Sequence, residues 1–224
     1  MSDLAALVRL LQLASPSLPV GAYSYSQGLE AAIESGIVRD AESAKRWIGD
    51  VLALTVASME APLLLRLVEA WSAGDVAAAR KWNDEFLASR DTVELRAETL
   101  QMGFSLRSLA VAMKIGEAAA LEEYEDLAFP AAFAFVAAAW RLGAHEALAA
   151  YLFAWIENQA LAALKAVPLG QTDAQRLLSE LGETIAEHVD RAALLGDDEL
   201  ANFAPGLSLA SSRHETQYSR IFRS

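Results

Sequence analysis

The chain has 224 residues, with 18 basic against 30 acidic side chains for a net charge of −12, and contains no cysteine. The missing cysteine excludes disulfides, thiolate zinc sites, iron–sulfur clusters and cysteine nucleophiles, and the negative charge argues against general nucleic-acid binding, which needs cationic surface to displace counterions. With 54% hydrophobic and 21% charged residues, the chain is not of disordered composition and is long enough to bury a full core without staples.

The apolar content raises the question of a membrane. The longest uncharged apolar run, Leu127–Trp140, is broken by Pro130 and is shorter than the ~20 residues a spanning helix needs. The start, Met-Ser-Asp-Leu, lacks a basic stretch before an apolar one, so no secretory leader is expected. The expectation is a soluble, cytoplasmic protein with no membrane and no nucleic-acid partner.

Strand signals are nearly absent and helix signals are many. A first helix is predicted over Asp3–Ala14, with Leu4, Leu7, Leu11 and Ala14 on one stripe. Pro16, Pro19 and Gly21 then fix an irregular loop. A second helix runs from about Ser26, its cap, to Ser35, with Gly36 just past its end. Asp40 caps a third helix, Pro62 marks a further helix start, and Gly74-Asp75 reads as a stop followed by a new cap. Asp91, three residues before Glu94, reads as another start.

Phe129–Trp140 and Ala147–Ala166 are apolar almost all round, which places two helices at the centre of a bundle. Gly143 separates them. Thr172 and Gln175 have the spacing of a capping box after Pro168-Leu169-Gly170. There is no internal repeat. The fold read from this pattern is all-α, a single-domain helical bundle of about nine or ten helices over residues 1–212. Residues 213–224 are set apart as a candidate C-terminal partner-docking tail.

Self-contained chemistry has few candidates. There is no phosphate-binding G-x-x-x-x-G-K-[ST] loop, no G-x-S-x-G elbow and no H-E-x-x-H pair. The three histidines, His145, His188 and His214, have no helical metal-binding spacing. No catalytic, cofactor-binding or metal-ligating residue is therefore assigned. The acidic clusters Glu122-Glu123-Tyr124-Glu125-Asp126 and Asp197-Asp198-Glu199 lack the repeated aspartates with which helical magnesium enzymes hold diphosphates, and read as solvated loops. An enzyme using Glu122, Glu123, Glu125 and Asp126 is the alternative reading, and a membrane-associated helical protein, suggested by a mean hydropathy of +0.23, is a second.

Three segments stand out. Leu18–Glu30 is a proline-stiffened loop that either carries Tyr23 and Tyr25 as interface anchors or connects two helices with both tyrosines half-buried. Lys165–Gln171 puts a cation at the end of an apolar helix, where it either complements the helix dipole or meets a partner's anion. The stretch Arg213–Ser224 mixes three arginines with Tyr218, Ile221 and Phe222, residue types enriched at interface cores. It docks either on its own domain or on a partner. His214-Glu215 alone cannot complete a metal site.

Taken in order, these segments resemble the urease accessory protein F family. The first reads Leu-Pro-x-Gly-x-Tyr-x-x-Ser-x-Gly-Leu-Glu from Leu18 to Glu30, the second Lys-x-x-Pro-Leu-Gly-Gln from Lys165 to Gln171. The third reads Arg-His-Glu-x-Gln-x-x-Arg-Ile-Phe-x-Ser from Arg213 to Ser224, with Ile221 in place of the usual leucine. The resemblance implies an all-α, non-catalytic assembly factor for the nickel enzyme urease, dimeric in its complex. Such a factor binds accessory protein D (also called H), recruits the GTPase accessory protein G and docks on apo-urease, so that GTP hydrolysis accompanies nickel insertion. Carried over residue by residue, Tyr23, Ser26, Gly28, Glu30 and Lys165 would face the GTPase. Arg213, His214, Glu215, Gln217, Tyr218, Arg220, Ile221, Phe222 and Arg223 would face accessory protein D, on a tail expected to be flexible alone.

Overall fold

The computed structural model describes residues 3–224, and among them it contains ten α-helices and no strand. The helices are α1 (Asp3–Ala14), α2 (Leu29–Glu34), α3 (Ala41–Ala73), α4 (Val76–Ala88) and α5 (Val93–Ala112), followed by α6 (Phe129–Ala139), α7 (Ala144–Ala166), α8 (Gln171–Gly182), α9 (Ile185–Leu194) and α10 (Pro205–His214). Local chemistry fixes most of the ends. Asp40 accepts from Ser43 N at 2.8 Å while Ser43 Oγ accepts from Asp40 N, a reciprocal cap on α3. Gly74, left-handed at φ 70°, stops α3, and Asp75 accepts from Ala78 N to start α4.

Two caps differ from the sequence reading. Thr92, not Asp91, caps α5 by accepting from Leu95 N, because Asp91 is engaged by the Ser208 hydroxyl of α10 at 2.7 Å. Thr172 and Gln175 make no box. α8 is capped two residues earlier, by Gly170, which puts Thr172 inside the first turn.

Pro62 lies in the first turn of the α-helical stretch Ala61–Ala73, as expected, but that stretch continues α3 rather than standing as a separate helix. α3 runs unbroken for 33 residues, and residues Leu52–Glu60 widen to π spacing. A proline inside a helix removes one amide donor and strands the carbonyl four residues back. That carbonyl belongs to Ser58, and it accepts from Ala201 N at 3.2 Å while Ser58 Oγ donates to Ala201 O at 2.8 Å. The carbonyl and hydroxyl of Ser58 thus anchor the strap between α9 and α10.

The centre is as the apolar pattern predicts. α6 is buried from Pro130 to Val136 and on to Ala137, packed mainly between α3 and α5. Its alanines permit close approach, and Trp71 Nε1 donates to Ala131 O at 3.2 Å. α7 runs beside it and meets α1, α3, α8 and α9.

Two helices, α3 and α7, are long and apolar enough to cross a membrane by length and composition, contrary to the expectation drawn from uncharged runs. In the bundle both are mostly buried by other helices.

α1 departs furthest from expectation. Leu4, Leu7 and Leu11 are exposed, as is Val8. Leu13 enters the core instead, with Ala6 and Leu10 packed behind it against α7. The segment Leu-Ala-Ala-Leu-Val-Arg-Leu-Leu-Gln-Leu-Ala is apolar on more than one stripe, so period alone does not choose the face. Arg9, stacked over the Trp140 ring at 4.5 Å, holds the orientation adopted.

Candidate functional site

The loop after α1 bends through a short 3-10 turn, Ala22–Ser24, and then through two consecutive left-handed residues, Gln27 at φ 51° and Gly28 at φ 78°. Glycine at 28 also admits α10, since a Cβ there would sit 3.1 Å from Leu207 Cδ1. The bend buries Ser26 completely. Its hydroxyl accepts from Glu30 N at 3.2 Å, although the formal cap of α2 is Gly28.

The C-terminal segment closes onto this bend. Ser26 donates twice to Ser224 O, from its amide at 2.7 Å and its hydroxyl at 2.6 Å. Glu30, 6% exposed, accepts the amides of Ile221 at 2.7 Å and Phe222 at 2.9 Å. Arg223 N donates to Ser24 O. The fully buried His214 ring bridges two carboxylates, with Nδ1 2.8 Å from Glu94 and Nε2 3.1 Å from Glu30. Arg220 folds back to Glu94 Oε1 at 2.9 Å and to the carbonyls of Glu215 and Gln217, and Glu215 accepts from Val93 N. Gln217 donates to Ser219 O.

Lys165, in the last turn of α7, completes the patch. Its ammonium is 3.5 Å from Tyr23 O and sits over two rings, Tyr23 at 5.7 Å and Phe222 at 5.6 Å. The helix-end lysine is therefore aimed at the loop and the tail.

The structure brings Tyr23, Ser26, Gly28, Glu30, Lys165, His214, Glu215, Arg220, Ile221, Phe222 and Arg223 into one continuous region. The sequence reading split them between two faces. It also expected a flexible tail, whereas the segment here packs on its own body, with Phe222 and Ser224 buried. The possible ligand pair His214-Glu215 is divided between separate partners. Tyr218 and Arg213 point outward, Tyr218 with its side chain wholly exposed. Of the acidic cluster, Glu122, Glu123 and Glu125 are exposed and Asp126 is spent on Arg96 at 2.8 Å.

Behind the patch lies a polar layer that the sequence reading missed. The Gln27 amide accepts from Trp155 Nε1 at 2.7 Å and donates to Glu98 Oε1 at 2.6 Å. Ser224 Oγ donates to the other oxygen of Glu98 at 2.8 Å. Further in, Glu60 and Arg90 form a buried pair at 2.8 Å, and Tyr151 donates to Glu60 at 2.8 Å. Gln27, Glu60, Arg90, Glu98, Tyr151 and Trp155 line a cavity of about 100 Å³ that reaches the surface past Ser15, Tyr23 and Glu157.

Burial pushes the Glu98 carboxyl up to about 7 despite the hydrogen bonds from Gln27 and Ser224, and it pushes the Tyr151 phenol well above its ordinary value, with Glu60 adding to the effect. A signal was present. Glu98 shares a face with Leu95, Met102 and Leu106, and Glu60 lies in an apolar run. An acid at a core position is a place to look.

A sequence model of the UreF family matches residues 38–182, a span that includes Lys165–Gln171 but neither of the other two segments. Relatives cover nearly the whole chain. The urease accessory protein UreF of Azoarcus sp. (strain BH72) is 57% identical over 223 residues, 97% of this chain and 95% of its own. That of Dechloromonas aromatica (strain RCB) is 53% identical over 97% of both chains, and that of Methylobacillus flagellatus is 51% identical over the full length of both.

Proposed function

This chain belongs to the UreF family of urease accessory proteins, and from that premise we propose that it is a non-catalytic assembly factor working in the cytoplasm. It docks accessory protein D (also called H) through Arg213–Ser224. It recruits the GTPase accessory protein G through the Tyr23–Glu30 bend and Lys165, and as a homodimer in that complex presents the assembly to apo-urease. GTP hydrolysis is thereby coupled to nickel insertion as a checkpoint. Nickel is cargo in this scheme, and no residue of the chain is assigned to hold it.

The observation that carries the reading is the contact of Lys165 with both Tyr23 and Phe222. A partner that draws the tail off the body removes Phe222 from beneath Lys165 and alters the surface offered to the next partner. Docking on one side is then felt on the other without any chemical step by this chain. The tail is already ordered, so the first partner must replace its internal hydrogen bonds, each worth about 0.5–1.5 kcal/mol net, rather than order a free coil.

The test is a pull-down with tagged chain from cells expressing the urease gene products, followed by identification of the bound proteins. Deleting residues 213–224 abolishes capture of accessory protein D while helical content persists. Lys165→Ala lowers capture of the GTPase, or its coupling, at unchanged thermal stability. Normal capture of both partners by both variants would remove the assignment.

A further inference from the structure

We propose that segment 215–224 is a proton-operated latch, held on the body while the carboxyl of Glu98 is protonated and released as that carboxyl ionises.

The geometry makes the segment the cover over one side of Glu98, the side away from the narrow cavity that Glu98 lines with Gln27 and Trp155. Glu98 is 5% exposed, and Ser224, itself 1% exposed, covers it. Both carboxyl oxygens meet only neutral partners, the Gln27 amide and the Ser224 hydroxyl. With Glu98 protonated, its own O–H donates to Ser224 Oγ and both contacts persist. With Glu98 ionised, the closed state holds a buried charge that has no cation of its own.

The surrounding groups confirm that isolation element by element. On α3, Glu60 is a like charge. Arg90, before α5, is committed to Glu60 at 2.8 Å. On α7, the Tyr151 hydroxyl is given to Glu60, and Trp155 Nε1 to Gln27. In the bend, Tyr25 is a neutral phenol that faces Glu98 and is engaged by Arg223 of the tail. One turn back on α5, Glu94 is taken up by His214 and Arg220, and Glu30 of α2 by His214 and the tail amides. Lifting the segment admits water to Glu98 and relieves the charge.

The direction follows from linkage. The closed state binds this proton more tightly than the open one, so its advantage is full at acid pH and is lost as pH rises towards about 7. The closed-to-open ratio falls on the order of a hundredfold across that interval. The carboxyl releases its proton to water, and no other reactant is needed. The consequence for partners, that accessory protein D meets a freer tail at neutral and alkaline pH, rests on the function proposed above. The latch itself does not.

The test uses the full chain without partners. Because the protein has no cysteine, Tyr218→Cys accepts a single fluorophore at a wholly exposed position. Label anisotropy is followed from about pH 4 to 8.5. The expected result is high anisotropy at acid pH and a sigmoidal fall that lies between about 4.5 and 7 and is complete by about 7, abolished in Glu98→Gln, which stays high throughout. A flat wild-type profile, or an unchanged transition in Glu98→Gln, would overturn the latch. Should the Gln variant not fold, the side-chain carboxyl 13C titration of Glu98 in the wild type decides. A midpoint coincident with the anisotropy change supports the proposal, and one in the ordinary carboxylate range sinks it. Since no partner is present, failure here leaves the docking assignments to be judged by the pull-down.

Discussion

Glu30 and Glu98 are both buried acids, and their environments set them apart. The Glu30 carboxylate is surrounded by polar partners that favour a charge: two backbone amides and the His214 ring. Glu98 has two neutral donors and a like charge nearby. Stability should therefore depend on pH through Glu98. Its folded-state value, about 7, exceeds the ordinary 4.5, so its contribution is complete below about 4.5 and lost by about 7. Urea denaturation of wild type and Glu98→Gln across pH 4.5–8 checks this. The difference, wild type minus variant, declines as pH rises and levels off above 7; a pH-independent difference would refute the assignment. Glu30 was legible in the sequence because it closes a motif. Glu98 carried only a faint signal, an acid on the face of Leu95, Met102 and Leu106, and one acid on a helix reads as surface unless the burial of that face is known.

At the scale of elements, caps and glycine stops were readable, since each is decided within four residues. Asp40, Gly74 and Asp75 behave as their chemistry dictates. Two departures involve a distant partner. Pro62 does not separate its stretch from α3, since Ala201 takes up the Ser58 carbonyl, and Asp91 is no cap because Ser208 engages it.

Gly103 is another case in which distance in sequence hides the constraint. A Cβ there would fall against the carbonyl oxygen of Leu127 and lie 3.0 Å from the carbonyl carbons of Leu127 and Ala128. These are backbone atoms that cannot swing aside. Gly103→Ala should thus destabilise the fold by about 1–3 kcal/mol through overpacking, even though alanine is the better helix former. A gain in denaturation midpoint would show that α5 can shift. For α1, Leu7→Ala should stay within about 0.5 kcal/mol of wild type, whereas Leu13→Ala should cost about 2–5 kcal/mol. Equal losses would mean that α1 presents its other stripe to α7.

Over the whole molecule, the apolar content that raised the question of a membrane is spent inside. α3, α6 and α7 supply most of the large core cluster, which reaches from Leu13 to Phe222. Sequence pattern could name the central helices because they are apolar all round. It could not foresee that segments from both ends of the chain would converge on the end of α7, because that depends on packing among all ten helices. This arrangement implies a hierarchy of openings. α6 is enclosed on every side, so its amides exchange only when the bundle unfolds. The tail is held by a few hydrogen bonds and one large buried ring, Phe222. Lifting it leaves the helices packed, so it should open at a lower free energy than the body. Native-state hydrogen exchange checks this by comparing the Ile221 and Phe222 amides with those of Phe133 to Val136. The tail amides should exchange at least a hundredfold faster, after correction for intrinsic rates, and with little dependence on denaturant, while the α6 amides should follow global unfolding. Equal protection of both sets would make the segment an integral part of the core and remove the physical basis for its exchange between body and partner.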